Sequence, residues 1–328
     1  MDFTKILTRK DCFLSICLSF LIWGKKGVLI ASIKNKFLFS DQTAAEGSTG
    51  GYTTVYSSFD SDGFTLGTSG SGPNDSGRTY VAWCWRANGG TTASNSDGSI
   101  TSTVQANTTA GFSIITYTGT GSTATIGHGL NSAPEMIITK GRSDAHSWLV
   151  GVTADSSDLS SVLVMQTTAA SVTATSNYNA APNSSTYQVV NAGGTNNNAD
   201  TYVAYVFHSV QGYSKIGSYT GNGNADGPFI YTGFAPAWLM FKKTSGTDGW
   251  GIFDNRRNTQ TGNPRDIYLQ PNNSNADSSE SDSVDFLSNG FKWRISSGFR
   301  NESGQTYIYM AFAESPFVSS EGVPTTAR

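Results

Sequence analysis

Three stretches of the chain repeat one apolar pattern behind a polar turn. They read "TYVAWCW", "TYVAYVF" and "TYIYMAF", and their anchor tyrosines are Tyr80, Tyr202 and Tyr307. Each stretch is apolar or aromatic on both alternating positions for about seven residues, which predicts a strand buried on both faces, as at the centre of a β-sandwich. The anchors lie about one small domain apart, so the pattern predicts three copies of one structural unit.

A second apolar stretch precedes each anchor by about 15 residues. The three stretches are "DGFTLG" from Asp62, "STYQVV" from Ser185 and "NGFKWR" from Asn289. Two strands joined by a loop of that length predict a hairpin or near-hairpin with the anchor strand.

The front half of the unit occurs twice. "GFSIITYTGTG" begins at Gly111 and "GYSKIGSYTGNG" begins at Gly212, and each is followed by an apolar strand that starts at Pro134 or Pro236. Proline is tolerated at the first residue of a strand, where the missing amide does little harm. With the strands after them, these copies contain about seven strands each, the number typical of a β-sandwich.

The start of the chain resembles a shortened copy. "FLIWGKK" at 20–26 is similar to "AWLMFKK" at 237–243, and "FLFSD" at 37–41 is similar to "GIFDN" at 251–255. The front strand pair has no counterpart here, so the first sheet is expected to be incomplete or completed by another chain. The predicted division is an arm or tail at 1–19, an incomplete module with a linker at 20–110, and modules at 111–210 and 211–328, the last with a short C-terminal tail.

The apolar stretch 13–23 has two interpretations. Basic residues precede it, as in a secretory signal, but it is shorter than the roughly 20 residues of a membrane span. The register of the repeat favours a core strand beginning at Phe20.

Composition agrees with an all-β fold that has almost no α-helix. The chain has 36 glycines and 12% aromatic residues, with many Ser, Thr and Asn. Charged residues make up 14% and the net charge is -3, which argues against a nucleic-acid binder. The three cysteines offer no disulfide framework, and Cys84 occupies the position of Val206 and Ala311 in the other copies, as a small core residue would.

Residue types that carry catalysis or bind metals are sparse. No His/Cys spacing predicts a metal site, no cofactor is expected, and "DSDG" at 60–63 is more typical of a solvated turn than of a structural Ca²⁺ loop. "DNRRN" at 254–258 predicts a surface ion pair rather than a phosphate site. The pair Lys242–Lys243 is expected to end a strand at the solvent. These patterns predict a protein that is not an enzyme.

The loops combine Gly, Asn and Thr with scattered aromatics, and this chemistry suits sugars and protein partners alike. Most of the aromatics are expected in the core, and a lone loop histidine is more often a turn or surface residue than a catalyst. The predicted ligand or partner loops contain Tyr117, His128, Tyr219, Asn222, Asn224 and Tyr231.

The motifs "AWCWRA", "GFSIITYTGTG", "APAWLMFKKT" and "GVPTTAR" resemble those of a family of virion-associated proteins of tailed phages, especially marine ones. The resemblance extends from about Trp23 to Arg328. It implies tandem lectin-like or jelly-roll-like β-sandwich modules, often at the end of longer fibre or capsid-associated proteins. It implies no catalytic residues. The short first module and the N-terminal segment depart from the family pattern.

The resemblance implies a structural, adhesive protein on the virion exterior that binds copies of itself, other virion proteins and host surface glycans, with no membrane span. One alternative is a subunit of an extracellular filament or surface assembly joined by strand exchange. A second is a glycan-degrading spike enzyme, which needs paired carboxylates in one groove. The sequence offers no support for that pair.

Overall fold

The chain folds into antiparallel β-sheets in a computed structural model. The structure describes residues 4–5, 19–24, 27–33, 36–47, 56–59, 64–67, 74, 76–85, 87, 92–257 and 262–314. The predicted all-β class is confirmed, since a single turn of α-helix stands beside 25 strands in the described residues.

The first module comprises the described residues from 4 to 87. Its strands are β1 (Thr4–Lys5), β2 (Ser19–Gly24), β3 (Gly27–Ile33), β4 (Lys36–Phe39), β5 (Tyr56–Phe59), β6 (Phe64–Leu66) and β7 (Val81–Trp85). Five of them form a sheet in the order β1-β7-β2-β3-β4, and β5 pairs with β6.

The second module comprises residues 92–207. Its strands are β8 (Ala93–Asn95), β9 (Ser102–Asn107), β10 (Phe112–Thr118), β11 (Ala124–Gly127), β12 (Met136–Gly141), β13 (Leu149–Val152), β14 (Ser161–Val164), β15 (Val172–Thr173), β16 (Thr186–Val189) and β17 (Thr201–Phe207). The large sheet has the order β15-β14-β13-β12-β17-β10-β9-β8, and β11 pairs with β16.

The third module comprises the described residues from 208 to 314. Its elements are β18 (Ser214–Thr220), β19 (Phe229–Tyr231), β20 (Pro236–Lys243), β21 (Trp250–Asp254), β22 (Arg265–Leu269), β23 (Ser278–Leu287), β24 (Gly290–Trp293), α1 (Gly298–Asn301) and β25 (Thr306–Ala313). One sheet has the order β18-β25-β20-β21-β22-β23-β24-β19.

The three sheets share one strand order around the anchor strands. β7, β17 and β25 each lie between a front strand (β1, β10 or β18) and a following strand (β2, β12 or β20). The register also repeats, because Tyr117 pairs with Tyr202 in the second module and Tyr219 pairs with Tyr307 in the third. The tyrosines of each pair stack, with ring centroids 5.1 Å and 4.8 Å apart. The predicted repeat is therefore present in the tertiary structure.

Some predicted pairings are wrong. β16 pairs with β11, and β24 pairs with β23 and β19, so neither forms a hairpin with the anchor strand that follows it. Each of these strands folds across the outer face of its module and covers a second core there, which a local hairpin would leave open.

The front of the chain also differs from the prediction. β3 takes the place next to β2 that β21 takes next to β20, so the residues of β4 lie one strand further out than predicted. β1 pairs with β7 where the front strand was expected to be missing, and the chain's own residues therefore occupy that place. β8 and β9, predicted as linker, extend the sheet of the second module.

The anchor strands are buried on both faces, as predicted. On β25, Ile308, Met310 and Phe312 belong to a core that all three modules share, whereas Tyr307 and Tyr309 belong to a core of the third module alone. The shared core contains an aromatic cluster in which Trp85 of the first module lies 5.2 Å from Trp238 of the third, between ring centroids. Alternation along each central strand therefore joins the modules into one hydrophobic unit.

Buried charges join the modules at their edges. The Lys140 ammonium donates to the Thr43 carbonyl at 3.0 Å, and the Lys242 ammonium lies 3.5 Å from the Thr168 carbonyl, so each lysine reaches into the preceding module. Lys242 and Lys243 are 0% and 4% exposed, which corrects the prediction that they end a strand at the solvent. The Lys242 amine lies inside because the neighbouring module covers the strand end, whereas the Lys243 amine is enclosed by Asp248 and Glu302 of its own module.

The ion pair in "DNRRN" is buried rather than at the surface. Asp254 is 1% exposed and pairs with the Arg257 guanidinium, whose centre lies 5.4 Å from the ring of Trp83 in the first module. The prediction of a surface pair is therefore wrong. The arginine is drawn inward because the acid and the aromatic face together replace part of its hydration.

The two buried lysines predict a stability that increases in mild base. Burial lowers the pKa of both Lys140 and Lys242 from 10.5 to about 8. Below about pH 8 the buried lysines carry their charge, and the folded protein bears the full free-energy penalty for burying it. Between pH 8 and 10.5 the unfolded chain binds more protons than the folded chain, so this penalty becomes smaller as pH rises. We expect the free energy of unfolding to rise by on the order of 1 kcal/mol per lysine between about pH 8 and pH 9.5.

Urea denaturation at several pH values checks this expectation. A variant carrying Lys140→Met and Lys242→Met should lose most of the rise, because neither position can then titrate. A Lys215→Met variant, which removes an exposed lysine, is the control and should keep it. An equal slope in all three proteins would contradict the assignment.

Candidate functional site

An exposed aromatic pair marks the outer end of the third sheet. Among the described residues, the large apolar side chains that stand out in solvent are Val172, Phe229 and Tyr231, at 51%, 46% and 65% exposure. Phe229 and Tyr231 share β19, and Ile230 between them is 7% exposed and packs inward. The alternation of a strand therefore presents both rings on one face.

Gly290 makes room for this arrangement. It pairs with Tyr231 on β24, and a Cβ atom at this glycine would lie 2.9 Å from the Phe229 ring and 2.1 Å from the Ile230 carbonyl oxygen. Any larger residue would push the ring or the strand away. Lys292 lies on β24 as Gly290 does and pairs with Phe229 on β19, so an ammonium flanks the aromatic pair.

A polar cleft adjoins the pair. It has a volume of about 530 Å³ and is lined by Ala225, Asp226, Pro264, Asp282, Asp285 and Arg294. Asp226 connects the two features, because its carboxylate lies 2.6 Å from the Lys292 ammonium. The hydrogen bond from Lys292 lowers the pKa of Asp226, which holds that acid in the ionised form. Asp285 pairs with Arg294 at 3.5 Å.

The loop between β18 and β19 borders the cleft and is held by its own amide side chains. The Asn222 side chain accepts from the Asn224 amide at 3.0 Å, and the Asn224 side chain accepts from the Asp226 amide at 2.9 Å. Asn301, 0% exposed, anchors the loop from below by accepting from the Asn222 amide at 2.8 Å and donating to the Asn224 carbonyl at 2.8 Å. The loop is thus a fixed rim.

Three of the predicted ligand residues lie inside the protein. Tyr117 and Tyr219 are 5% and 8% exposed, and their hydroxyls donate to the Thr195 and Arg300 carbonyls. His128 is 0% exposed, and burial lowers its pKa. None of the three can contact a ligand at the surface in this conformation, so they are removed from the candidate site.

His128 has a structural role instead of the predicted surface position. Its Nδ1 accepts from the Leu130 amide at 3.1 Å, so Nε2 carries the proton that it shares with the Asn183 carbonyl at 3.1 Å. The ring therefore joins two loops of the second module.

The other three predicted residues are exposed in the third module. Asn222 and Asn224 belong to the loop that borders the cleft, and Tyr231 lies on β19. Sequence reasoning missed Phe229, although the alternation in "PFIYTG" predicts that it shares a face with Tyr231. It also missed the cleft acids, which come together from separate strands and loops and so leave no local signal. The "DSDG" stretch at 60–63, considered for Ca²⁺, lies outside the described residues.

The second module provides an internal comparison. At the places of Phe229 and Tyr231 it has Thr125 and Gly127, as the matching registers of β11 and β19 show. There the outer edge is occupied, because the Ile100 amide donates to the Thr125 carbonyl at 3.0 Å and Asn95 lies against Gly127. Among the described residues, no strand pairs with the outer edge of β19. Of these two modules, only the third therefore has the exposed pair.

Fold and surface together define an all-β protein of repeated sandwich-like modules with an exposed aromatic and acidic face. Residues 26–316 match a family model described as a domain of unknown function, DUF7483, and the chain belongs to that family. No curated protein and no solved structure matches the chain. Within the part of the chain that the structure describes, no helix is long and apolar enough to cross a membrane.

Proposed function

We propose that this protein is a non-enzymatic structural and adhesive component of a phage virion, a fibre, decoration or appendage subunit on the virion exterior. It binds host surface glycans through the face formed by Phe229, Tyr231 and the adjoining cleft. The observation that carries the proposal is the exposed aromatic pair beside a fixed polar rim.

The chemistry of this face suits a sugar. The C–H face of a pyranose packs on an aromatic ring, and its hydroxyls need donors and acceptors close to that ring. Phe229 and Tyr231 stand two residues apart on a strand, roughly 7 Å, about the scale of one sugar ring. Asn224, Asp226 and Arg294 supply the hydrogen bonds beside them. The cleft volume of about 530 Å³ lies within the usual range for a small ligand.

The charge pairing of Asp226 and Asp285 in the cleft supports binding rather than hydrolysis. A glycosidase acid must hold its proton near neutral pH, which requires a raised pKa. The pKa of Asp226 is lowered by its bond with Lys292, and Asp285 is paired with Arg294. Paired carboxylates are suited to accept hydrogen bonds from hydroxyls.

Single sites of this size bind weakly, and many copies on one particle compensate by avidity. The proposal therefore includes self-association and contact with other virion proteins. The modules joined by one core present the face on a rigid body, so a bound glycan would transmit force to the particle.

Removing the exposed rings should weaken glycan binding. We expect Tyr231→Ala to reduce the affinity for a bacterial surface polysaccharide about tenfold, since an aromatic contact contributes roughly 1–1.5 kcal/mol. Phe229→Ala should act similarly. Affinity is measured by isothermal titration after a glycan array has identified the sugar. Val172→Ala, which removes an exposed apolar side chain in the second module, is the matched control and should bind normally.

Two outcomes would contradict the proposal. An array of bacterial glycans with no ligand, or equal affinity in all variants, would exclude this face as an adhesin. Shortening of the polysaccharide on incubation with the protein would instead indicate the glycan-degrading alternative.

The open edge of β19 favours a second candidate function, a subunit of an extracellular filament or surface assembly joined by strand exchange. The Thr232 amide donates to the carbonyl of Asn289, the residue before β24, so the alternating backbone groups of Phe229 and Tyr231 face outward. Tyr231→Pro removes an outward amide and would block an added strand. Light scattering distinguishes the functions, because an assembly that survives Tyr231→Ala and is lost in Tyr231→Pro uses the edge, not the rings.

A further inference from the structure

A cluster of three potential metal ligands lies above the anchor tyrosine of the second module. Asp144 and His146 are on the loop between β12 and β13, and Asp200 immediately precedes β17. One ligand atom from each lies within 4.8 Å of the other two, and His146 Nε2 is 2.9 Å from Asp200 Oδ2. This cluster belongs to a different module from the proposed glycan site at Phe229 and Tyr231.

The surroundings of the cluster orient the ligands. The Asn197 side chain donates through Nδ2 to Asp200 Oδ2 at 2.9 Å, and hydrogen bonds from Asn197 and His146 lower the pKa of Asp200. The imidazole lies parallel to the Tyr202 ring, with centroids 6.4 Å apart. Such outer partners fix the geometry that a metal requires.

Glycine makes room for the imidazole on two sides. A Cβ atom at Gly141 would lie 2.8 Å from the His146 ring, and a Cβ atom at Gly193 would also lie 2.8 Å from it. The ring is therefore positioned by the backbone around it.

The third module holds a cation at the matching place. Lys243 stands where the second module has Gly141, and Asp248 stands where it has His146, as the registers of β12–β13 and β20–β21 show. The Lys243 ammonium donates to Asp248 and to Glu302 at 2.8 Å each, and it lies 6.0 Å from the ring of Tyr307. The second module has Gly141 in place of this lysine, and a histidine and two carboxylates lie close together there.

We propose that Asp144, His146 and Asp200 bind a first-row divalent cation of the Zn²⁺ type. An imidazole with two carboxylates suits such a cation, whereas Ca²⁺ and Mg²⁺ prefer oxygen alone. Two donors bound at 2.0–2.1 Å lie roughly 3.3 Å apart at a tetrahedral angle, so the 2.9 Å separation has to open by only a few tenths of an ångström.

The cation takes the place of the shared hydrogen. His146 Nε2 then donates its lone pair to the metal, and the ring proton resides on Nδ1. Asp144 is exposed and its Oδ1 accepts from the Ala145 amide at 2.7 Å, so its other oxygen is available to the metal, and water completes the coordination. The metal joins the β12–β13 loop to the loop before β17, which is what Lys243 does in the third module.

Zinc titration of the full chain tests the site. After treatment with EDTA, we expect saturable binding of one Zn²⁺ by isothermal titration and a rise in the midpoint of thermal unfolding. His146→Ala should abolish the thermal rise and weaken binding at least about tenfold, and Asn197→Ala should weaken binding about tenfold by releasing Asp200. Asp248→Asn, at the matching place in the third module, should leave zinc binding unchanged.

Cobalt substitution separates this site from the thiols. Co²⁺ at the proposed site should show ligand-field bands without the charge-transfer absorption of a thiolate. Binding that survives His146→Ala, or that is lost when Cys12, Cys17 and Cys84 are replaced by serine, would overturn the proposal. The absence of saturable binding to the EDTA-treated protein would overturn it as well.

Discussion

Replacing Trp238 by alanine should lower the free energy of unfolding by about 3–5 kcal/mol, the usual loss for a buried aromatic residue. Trp238 is 2% exposed in the shared core. Its ring lies 5.2 Å from that of Trp85 in the first module and 5.7 Å from that of Phe312 in its own, between centroids. The cavity would therefore open between modules, where neither sheet can collapse alone.

The same variant should still unfold in one transition. Modules with separate cores unfold independently, but modules that share a core lose it together. Denaturation followed by tryptophan fluorescence and circular dichroism measures the loss, and hydrogen exchange should show faster opening of β17 in the second module as well as β25 in the third. Two transitions, only one of them sensitive to Trp238→Ala, would contradict a common core.

Trp238→Phe is the matched control. The Trp238 indole N–H is buried without a hydrogen-bond partner, so phenylalanine removes an unsatisfied donor while it keeps most of the ring. We expect a clearly smaller loss than for alanine. An equal loss would show that the indole contributes through something other than its apolar volume.

Replacing Asn301 by alanine should cost about 3 kcal/mol and should weaken glycan binding as well. Its side chain accepts from the Asn222 amide and donates to the carbonyls of Asn224 and Ile295. Asn301 is 0% exposed, and alanine removes all three hydrogen bonds at once, at roughly 0.5–1.5 kcal/mol each. The loop that forms the rim of the cleft would then lose its fixed shape.

The second module contains the control for this prediction. Asn196, also 0% exposed, accepts from the Thr120 amide at 2.8 Å and donates to the Ser122 carbonyl. Asn196→Ala should destabilise the protein to a similar degree but leave glycan affinity unchanged, because its loop does not border the cleft. Urea denaturation and titration with the same sugar compare the two variants. If both variants changed the glycan affinity equally, the loop held by Asn301 would not be part of the glycan site.

Equivalent tyrosines of the second and third modules lie beneath different polar groups. Tyr202 and Tyr307 make equivalent contacts. The Tyr202 hydroxyl accepts from the Asn197 backbone amide and donates to the Gly193 carbonyl. The Tyr307 hydroxyl accepts from the Glu302 backbone amide and donates to the Gly298 carbonyl. Above them the modules diverge to Asp200 with His146 in one case and to Lys243 with its acids in the other. A conserved scaffold within the chain therefore presents two different surfaces.

The amino-acid sequence by itself determined the all-β class, the central strands and the repeat. A strand that is apolar at both alternating positions has to be buried on both faces. The stretches "TYVAYVF" and "TYIYMAF" show this pattern within seven residues each. The local pattern did not determine the partners of β16 and β24, because pairing between distant strands depends on which faces remain to be covered.

Only the tertiary structure decided which polar and aromatic residues reach the solvent. Tyr219 and Tyr231 stand 12 residues apart in similar surroundings of Gly, Asn and Thr, yet one lies in the core and the other stands 65% exposed. Lys242 looks like a surface residue in the sequence and is buried by the module beside it. Exposure is set by the layers that pack over a strand, and those layers come from parts of the chain far away in sequence.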